Sequence, residues 1–327
     1  MRVLVLSHAD VRAALTPGEC ERAMARVLAA HARGETYMPL RSIIRPPRTE
    51  GVMATMPAYA AGSGDGDAVF ALKALCLFAS NPERGLDTHQ GTVTLFDGQI
   101  GVPTSILNAS ALTEIRTAAV TAAATRALAR EDARVLAVLG AGVQARAHLR
   151  ALGDVRAWDE IRAFSPTAEH VRALRDLVPG LVLADSARAA VDGADVVVTA
   201  TSSAEPVFEH EWLAAGAHDN AVGASTPAAR ELPVDTVAAA TLFCDSRESL
   251  RNEAGEFRLA IEQGAISGED HVRAELGEVL AGLAPGRRDA AELTVFRSLG
   301  LAVEDLAAGC AAVAGARRLG LGTEVEL

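Results

Sequence analysis

A lysine in the middle of an apolar run is the first feature of this 327-residue chain whose type and place call for chemistry. If residues 69–78 form a strand, Val69, Ala71, Lys73, Leu75 and Leu77 share one face and Phe70, Leu72, Ala74, Cys76 and Phe78 the other. Both faces are apolar, so an ammonium there must meet an anion or give up its proton. The plainer alternative is an edge lysine whose stem carries its charge out to water. Arg41, in Met38-Pro39-Leu40-Arg41-Ser42-Ile43-Ile44, interrupts a second apolar run. Its guanidinium suits a two-pronged grip on a carboxylate, although alone it reads as an ordinary edge-strand charge. Arg116 follows Thr113, the expected N-cap of a long helix, and so falls in a first turn where a cation opposes the helix dipole. A substrate carboxylate or a cofactor phosphate nearby would resolve that conflict; otherwise Arg116 is a solvated helix-start arginine.

A second group of residues has the form of a nucleotide seat. Arg134-Val135-Leu136-Ala137-Val138-Leu139-Gly140-Ala141-Gly142-Val143-Gln144-Ala145 is an apolar strand entering a glycine turn and then a helix. Glycines let the backbone approach a dinucleotide pyrophosphate, and the open N–H groups of the helix start attract it. The next strand ends in Ala163-Phe164-Ser165-Pro166-Thr167, where hydroxyls stand in place of the carboxylate that would bind ribose and repel a 2′-phosphate. Ser165 and Thr167 thus favour NADP(H) over NAD(H), although no arginine follows at once to neutralise the extra phosphate. Ala200-Thr201-Ser202-Ser203 and Ala221-Val222-Gly223-Ala224-Ser225 close the fourth and fifth strands, at the sheet edge where a nicotinamide is expected.

The elements that would position these groups fall into two patterns. Residues 1–110 read as α+β: a strand at 3–6, a helix opened by the capping-box pattern Thr16-Pro17-Gly18-Glu19 and running to about Gly34, then strands near 40–44, 51–56, 69–78 and 91–96. Turn-rich stretches at 61–67 and 81–85 separate them, giving a meandering sheet. Residues 112–130 form one alanine-dominated helix, after which strands at 135–139, 161–164, 181–184, 196–200, 220–223 and 242–244 alternate with helices. That alternation predicts a Rossmann-type, doubly wound parallel sheet, so the fold class is α/β with an added α+β domain. A final helix at 299–319 is expected to pack back on the first domain.

Composition narrows the function classes. A length of 327 residues with 50% hydrophobic content suffices for two domains with cores. The net charge of −11, with no basic run, argues against nucleic acid as a partner. Cys20, Cys76, Cys244 and Cys310 show neither Cys-x-x-Cys spacing nor a disulfide framework, and the histidines make no paired ligand motif, so no metal is expected and a reducing cytoplasm fits. With no leader-like start and no apolar run long enough to span a bilayer, a soluble cytoplasmic protein without a membrane partner is expected.

Assembled, these segments resemble the ornithine cyclodeaminase/μ-crystallin family over nearly the whole chain. The blocks that carry the resemblance are Met56-Pro57-Ala58-Tyr59, Lys73, Leu112-Thr113-Glu114-Ile115-Arg116-Thr117-Ala118-Ala119, the Gly140–Ala145 turn, Asn220-Ala221-Val222-Gly223-Ala224, Glu253-Ala254-Gly255-Glu256 and Phe296-Arg297-Ser298-Leu299-Gly300-Leu301-Ala302-Val303-Glu304-Asp305-Leu306. The resemblance implies a substrate-binding and dimerisation domain from 1–112 plus 310–327, a Rossmann domain from 113–309, and a homodimer joined through the former. It further implies that Arg41, Lys73 and Arg116 anchor a substrate carboxylate. Thr117 and Gly140, Ala141, Gly142, Val143 and Gln144 would contact the pyrophosphate, with Ala200, Thr201, Val222, Leu299 and Gly300 toward the nicotinamide. Asp305 is assigned helix-start or inter-domain hydrogen bonding. The cyclodeaminases share a Gly-Gly-Asp segment after the fifth strand, where this chain has Gly223-Ala224-Ser225-Thr226-Pro227. Ser225 can hydrogen-bond a substrate nitrogen but is a poor base, so the chain looks more like the NADPH-using ketimine reductase branch. The expected activity is reduction of a ketimine beside a carboxylate, such as piperideine- or pyrroline-2-carboxylate. The alternatives are ornithine cyclodeaminase, an alanine-type amino-acid dehydrogenase, and a non-enzymatic, crystallin-like NADPH- or ligand-binding protein.

Overall fold

The computed structural model describes residues 1–62, 68–175 and 177–327. The turn expected at 61–67 lies, from Ser63 onward, outside the described residues. The chain divides into two units, residues 1–116 with 301–327 and residues 117–300.

In the first unit, β1 (Arg2–Leu6), β2 (Thr36–Tyr37), β3 (Ser42–Ile44), β4 (Val52–Ala60), β5 (Val69–Leu77), β6 (His89–Asp97) and β7 (Pro103–Asn108) form one sheet with the closing strand Thr323–Glu326. Its order is Thr323–Glu326, β1, β7, β6, β5, β4, β2, with β3 also paired to β4. All neighbours are antiparallel except β1 and β7. Helix α1 (His8–Ala14), which pattern reading passed over, starts in a Ser7/Asp10 capping box, and α2 (Pro17–Ala32) in the expected Thr16/Glu19 box. The C-terminal helix Ala302–Leu319 packs on α1, α2 and the sheet face that buries Ala54, Met56, Ala58, Ala71, Leu75, Val93 and Leu95. This helix lies as one piece in the first unit, so the junction expected at 309/310 falls inside it.

Helix α3 (Ala109–Leu128) begins in the first unit and ends in the second. It starts earlier than the pattern suggests: Asn108 Oδ1 accepts from the Ala111 N–H at 3.0 Å. Thr113 is therefore inside the helix and does not cap it. A short polar side chain at the end of a strand out-competed Thr113 for the free N–H groups, and Arg116 sits in the helix interior, away from the dipole's positive end.

The second unit holds β8 (Val135–Leu139), β9 (Glu160–Phe164), β10 (Val182–Leu183), β11 (Val196–Thr199), β12 (His218–Ala221), β13 (Thr241–Cys244), β14 (Val272–Glu275) and β15 (Thr294–Arg297), all parallel, in the order β10-β9-β8-β11-β12-β15-β13-β14. Successive residues feed opposite cores: Leu136 and Val138 one, Ala137 and Leu139 the other. This is the expected doubly wound sheet, with the strand order reversing between β8 and β11. The strands β14 and β15 were not foreseen, and β15 inserts between β12 and β13. Gly140 follows β8 with φ +120°, and a Cβ there would stand 2.4 Å from the Ala200 carbonyl oxygen. Only glycine meets both conditions. Helix α4 (Val143–Leu152) then leaves the turn. Among the described residues no helix is long and apolar enough to cross a membrane.

One strand breaks the apolar rule. His218, Asp219 and Asn220 of β12 are fully buried. The two on one face are served: His218 meets Thr294 Oγ1 at 2.9 Å and Asn220 Oδ1 at 3.2 Å, and Asn220 donates to Thr125 Oγ1 at 3.1 Å. Asp219 points to the other face, and neither of its oxygens has a hydrogen-bond partner. Burial, with Glu231 nearby, pushes its carboxyl well above the usual range. The folded state therefore keeps a proton that the unfolded chain releases above about pH 4, and folding stability drains away as pH rises through that window. Asp219→Asn should raise the urea midpoint more at pH 8 than at pH 5. A variant destabilised equally at both would show Asp219 to be ionised and paired.

Candidate functional site

In the first unit the sequence's three cations come together around β5. Lys73 faces inward from the centre of β5, opposite Met56 and Val93, and is 2% exposed. Its Nζ is 3.0 Å from Asp305 Oδ1. Arg116 Nε donates to the same oxygen at 3.3 Å and its Nη1 to Glu304 Oε2 at 2.8 Å. Arg41 lies just before β3, close enough for its charge to act on Lys73. Burial lowers the Lys73 ammonium to about 8 against the pull of Asp305, and the charges of Arg116 and Arg41 add to the lowering. Arg12 grips Glu114 with both bonds at 2.7 Å, fixing the flank of α3 two residues before Arg116.

Asp305 corrects the sequence reading. It is neither a helix cap nor an inter-domain bond but the shared partner of two buried cations within one unit. Glu304 beside it was not singled out at all. The available signal was an acidic pair opening an otherwise apolar helix; a buried face rarely admits adjacent carboxylates unless cations face them.

In the second unit the remaining candidates gather at the carboxyl ends of the strands. The Gly140 N–H donates to the Phe164 carbonyl at 2.8 Å, so the glycine turn abuts the end of β9. A Cβ built on Gly142 meets nothing within 4 Å, and α4 starts at this glycine with no side-chain cap. Its first N–H groups are thus open to a ligand, and the residues fit a dinucleotide pyrophosphate. Beneath the turn, burial lowers His148 to about 4, which leaves the imidazole neutral at pH 7. Its Nδ1 faces the Gln144 carbonyl at 2.7 Å and so carries the hydrogen, leaving Nε2 to accept from Thr121 Oγ1 at 2.9 Å. Thr117, one turn before Thr121, is buried, and its carbonyl faces the Thr121 hydroxyl at 3.2 Å.

Ser165 is half-buried at the end of β9, and Thr167 is exposed and makes no capping bond to the helix Ala168–Arg172. Ala200 and Val222 are buried at the ends of β11 and β12, beside the half-buried Thr201. Ser225 is exposed in the loop after β12. Leu299 and Gly300 both donate their N–H groups to Asp245 Oδ2, at 2.5 and 2.7 Å. Sequence reasoning missed Asp245, Glu231 and Arg297, which bind the backbone of these loops from below.

A family model for the ornithine cyclodeaminase/mu-crystallin family matches residues 1–313. The chain is 38% identical over 276 residues to the ketimine reductase mu-crystallin of Mus musculus, covering 84% of each protein. Among solved structures it is similar to Thermococcus litoralis Δ1-pyrroline-2-carboxylate reductase in complex with NADH and L-proline, with TM-score 0.93, 32% identity and coverage of 99% of this chain and 100% of that one. It is also similar to an archaeal alanine dehydrogenase dimer with bound NAD, with TM-score 0.92, 29% identity and full coverage of both chains.

The charge cluster has a measurable asymmetry, because one carboxylate serves two cations. Asp305→Asn should cost about 3–5 kcal/mol in urea unfolding at pH 7, as expected when a buried ion loses its partner. Lys73→Met should cost less, since Asp305 keeps Arg116. With Asp305 gone the Lys73 pKa falls further, so the deficit of Asp305→Asn should shrink as pH rises and the lysine loses its proton. The reverse ranking, or a deficit that grows with pH, would contradict the arrangement.

Proposed function

Because the chain belongs to the ornithine cyclodeaminase/mu-crystallin family, we propose that it is an oxidoreductase that uses a nicotinamide dinucleotide to reduce a ketimine carbon beside a carboxylate. Cyclic ketimines such as piperideine- and pyrroline-2-carboxylate are the simplest substrates. The observation that carries this reading is the buried Lys73, held at 3.0 Å by Asp305 with Arg116 and Arg41 around it.

In this reading Arg41 and Arg116 hold the substrate carboxylate, which fixes the neighbouring carbon and supplies much of the rate through orientation. The C=N nitrogen lies toward Lys73. At neutral pH a lysine with a pKa of about 8 is mainly charged, and its proton keeps the imine as an iminium, a far better hydride acceptor. Asp305 holds the ammonium in place and stabilises its charged form. A nicotinamide dinucleotide held in the second unit would supply a hydride, and with the proton at nitrogen the imine would become an amine. Gly140, Ala141, Gly142, Val143, Gln144 and Thr117 hold the pyrophosphate, and Ala200, Thr201, Val222, Leu299 and Gly300 line the nicotinamide side. Ser165 and Thr167, with no carboxylate at the tip of β9, support NADP(H) over NAD(H).

The similarity to an alanine dehydrogenase supports a second reading, an amino-acid dehydrogenase using the same cations and cofactor on an open-chain imine. Ser225 speaks against cyclodeaminase chemistry, since an exposed hydroxyl offers no base for ring closure. A pure binding protein has no use for a lysine buried at this cost beside two arginines. A homodimer is supported by the outer face of the first sheet, where Met53 and Phe70 are exposed and Tyr59 packs on Phe70 with ring centroids 4.7 Å apart. An apolar face of this kind marks an interface.

The test is oxidation of NADPH and of NADH with a panel of cyclic imino carboxylates and of 2-oxo acids plus ammonia or methylamine. Turnover of the cyclic ketimines is expected, falling above about pH 8 as Lys73 loses its proton. Lys73→Ala should lower kcat/KM by about two to four orders of magnitude, the range for loss of a proton donor, while still binding cofactor. Unchanged turnover in that variant would remove Lys73 from the mechanism.

A further inference from the structure

The loops leaving β11, β12 and β15 are tied together by three buried charged side chains that take no part in the reaction proposed above. Glu231 is 1% exposed. Its Oε1 accepts from the Thr201 N–H at 2.6 Å and the Thr201 hydroxyl at 2.7 Å, and its Oε2 accepts from the N–H groups of Gly223 at 2.6 Å and Ala224 at 3.2 Å. One carboxylate thus bridges the segments after β11 and β12 with four bonds. The segments also touch directly: a Cβ on Gly223 would stand 2.1 Å from the Thr201 carbonyl oxygen. Arg297 works on the opposite polarity, donating to the carbonyls of Ala221 at 3.0 Å, Ser298 at 2.8 Å and Ala224, with its Nε on Glu256. Asp245 holds the Leu299 and Gly300 N–H groups after β15.

Strand ends in a parallel sheet leave backbone N–H and C=O groups without ladder partners, and such groups are costly if buried unmet. Here they are met by ions, which fix loop spacing more stiffly than neutral partners do because charge-assisted bonds are shorter and stronger. The bonds divide the sheet edge in two. The glycine turn and the end of β9, where pyrophosphate and adenosine ribose are expected, receive nothing from Glu231. The loops after β11 and β12, on the nicotinamide side, receive all four of its bonds.

We propose that Glu231 is a positioning residue that sets the spacing of the β11 and β12 loops and thereby the grip on the nicotinamide half of the cofactor, leaving the adenosine half untouched. The proposal rests on the reading that the ligand is a nicotinamide dinucleotide. Replacing the carboxylate by an amide keeps the shape and one acceptor but turns a donor toward two backbone or side-chain donors, so one of the two loops must let go.

The test compares ligands that differ by the nicotinamide, titrated against wild type and Glu231→Gln by calorimetry: NADH against ADP-ribose, and NADPH against 2′-phospho-ADP-ribose. Glu231→Gln should weaken NADH and NADPH by about ten-fold or more, the worth of one or two lost charged hydrogen bonds, and ADP-ribose and its 2′-phosphate by less than about two-fold. Equal weakening of both classes, or of neither, overturns the proposal, since a general brace would not distinguish the halves. If wild type binds neither class, the cofactor reading fails instead, and that outcome is visible without the variant. Should Glu231→Gln not fold, Glu231→Asp is read the same way, because a side chain one methylene shorter reaches only one of the two loops and predicts the same split.

Discussion

Lys73 and Arg116 can be buried only because Glu304 and Asp305 are buried with them. Unpaired, either cation would face a desolvation penalty of several kcal/mol, and the strand and helix that carry them would be driven to expose them. The two carboxylates come from a helix almost 190 residues further along the chain than Arg116, so the first unit cannot close until both ends of the sequence are present. Its discontinuity is thus an electrostatic requirement as much as a topological one. The apolar remainder of the helix Ala302–Leu319 supplies the burial that holds the pairs in register against Ala71, Leu75, Val93 and Leu95.

The second unit uses buried polarity differently. Its sheet is apolar through β8 and β11, then carries His218, Asp219 and Asn220 across β12 without exposure. His218 and Asn220 are absorbed by Thr125 and Thr294, which fastens the later turns of α3 to the sheet. Residues beyond the strand ends are held by Glu231, Arg297 and Asp245 through backbone atoms, so loop shape there depends on side chains that never reach the surface. Carboxylates met on both oxygens, as Glu231 and Asp245 are, specify one arrangement more sharply than apolar packing does, which suits loops that must receive a ligand in a fixed orientation.

Much of this was legible in the chain because the signals were local. The capping box at Thr16 and Glu19, the apolar run at 69–78 with Lys73 inside it and the glycine turn after β8 each state their structure within a dozen residues. What stayed hidden was long-range or ambiguous. Thr113 had the chemistry of a cap, but Asn108, at the end of an unforeseen strand, stood nearer the true helix start. The short strand Thr294–Arg297 has too few residues to show a period, and its insertion between β12 and β13 is a matter of topology alone. Lys73, Arg41 and Arg116 were recognisable as cations out of place, whereas Asp305 looked like an ordinary helix-start acid, because the need it answers lies 232 residues away on another element. Glu231 gave no signal, since its partners are backbone N–H groups that any sequence supplies.

Recognition of a carboxylate by the cation cluster of β5 and α3 is measurable, in the presence of NADH or NADPH, as the affinity of the protein for L-proline against L-prolinamide, which share a ring and nitrogen but differ in the charge beside the reacting carbon. A bidentate, partly desolvated carboxylate is worth several kcal/mol, so the acid should bind at least about 100-fold more tightly than the amide, and Arg116→Met should erase most of the difference. Equal affinity for acid and amide in the wild-type protein would show that these cations recognise no carboxylate.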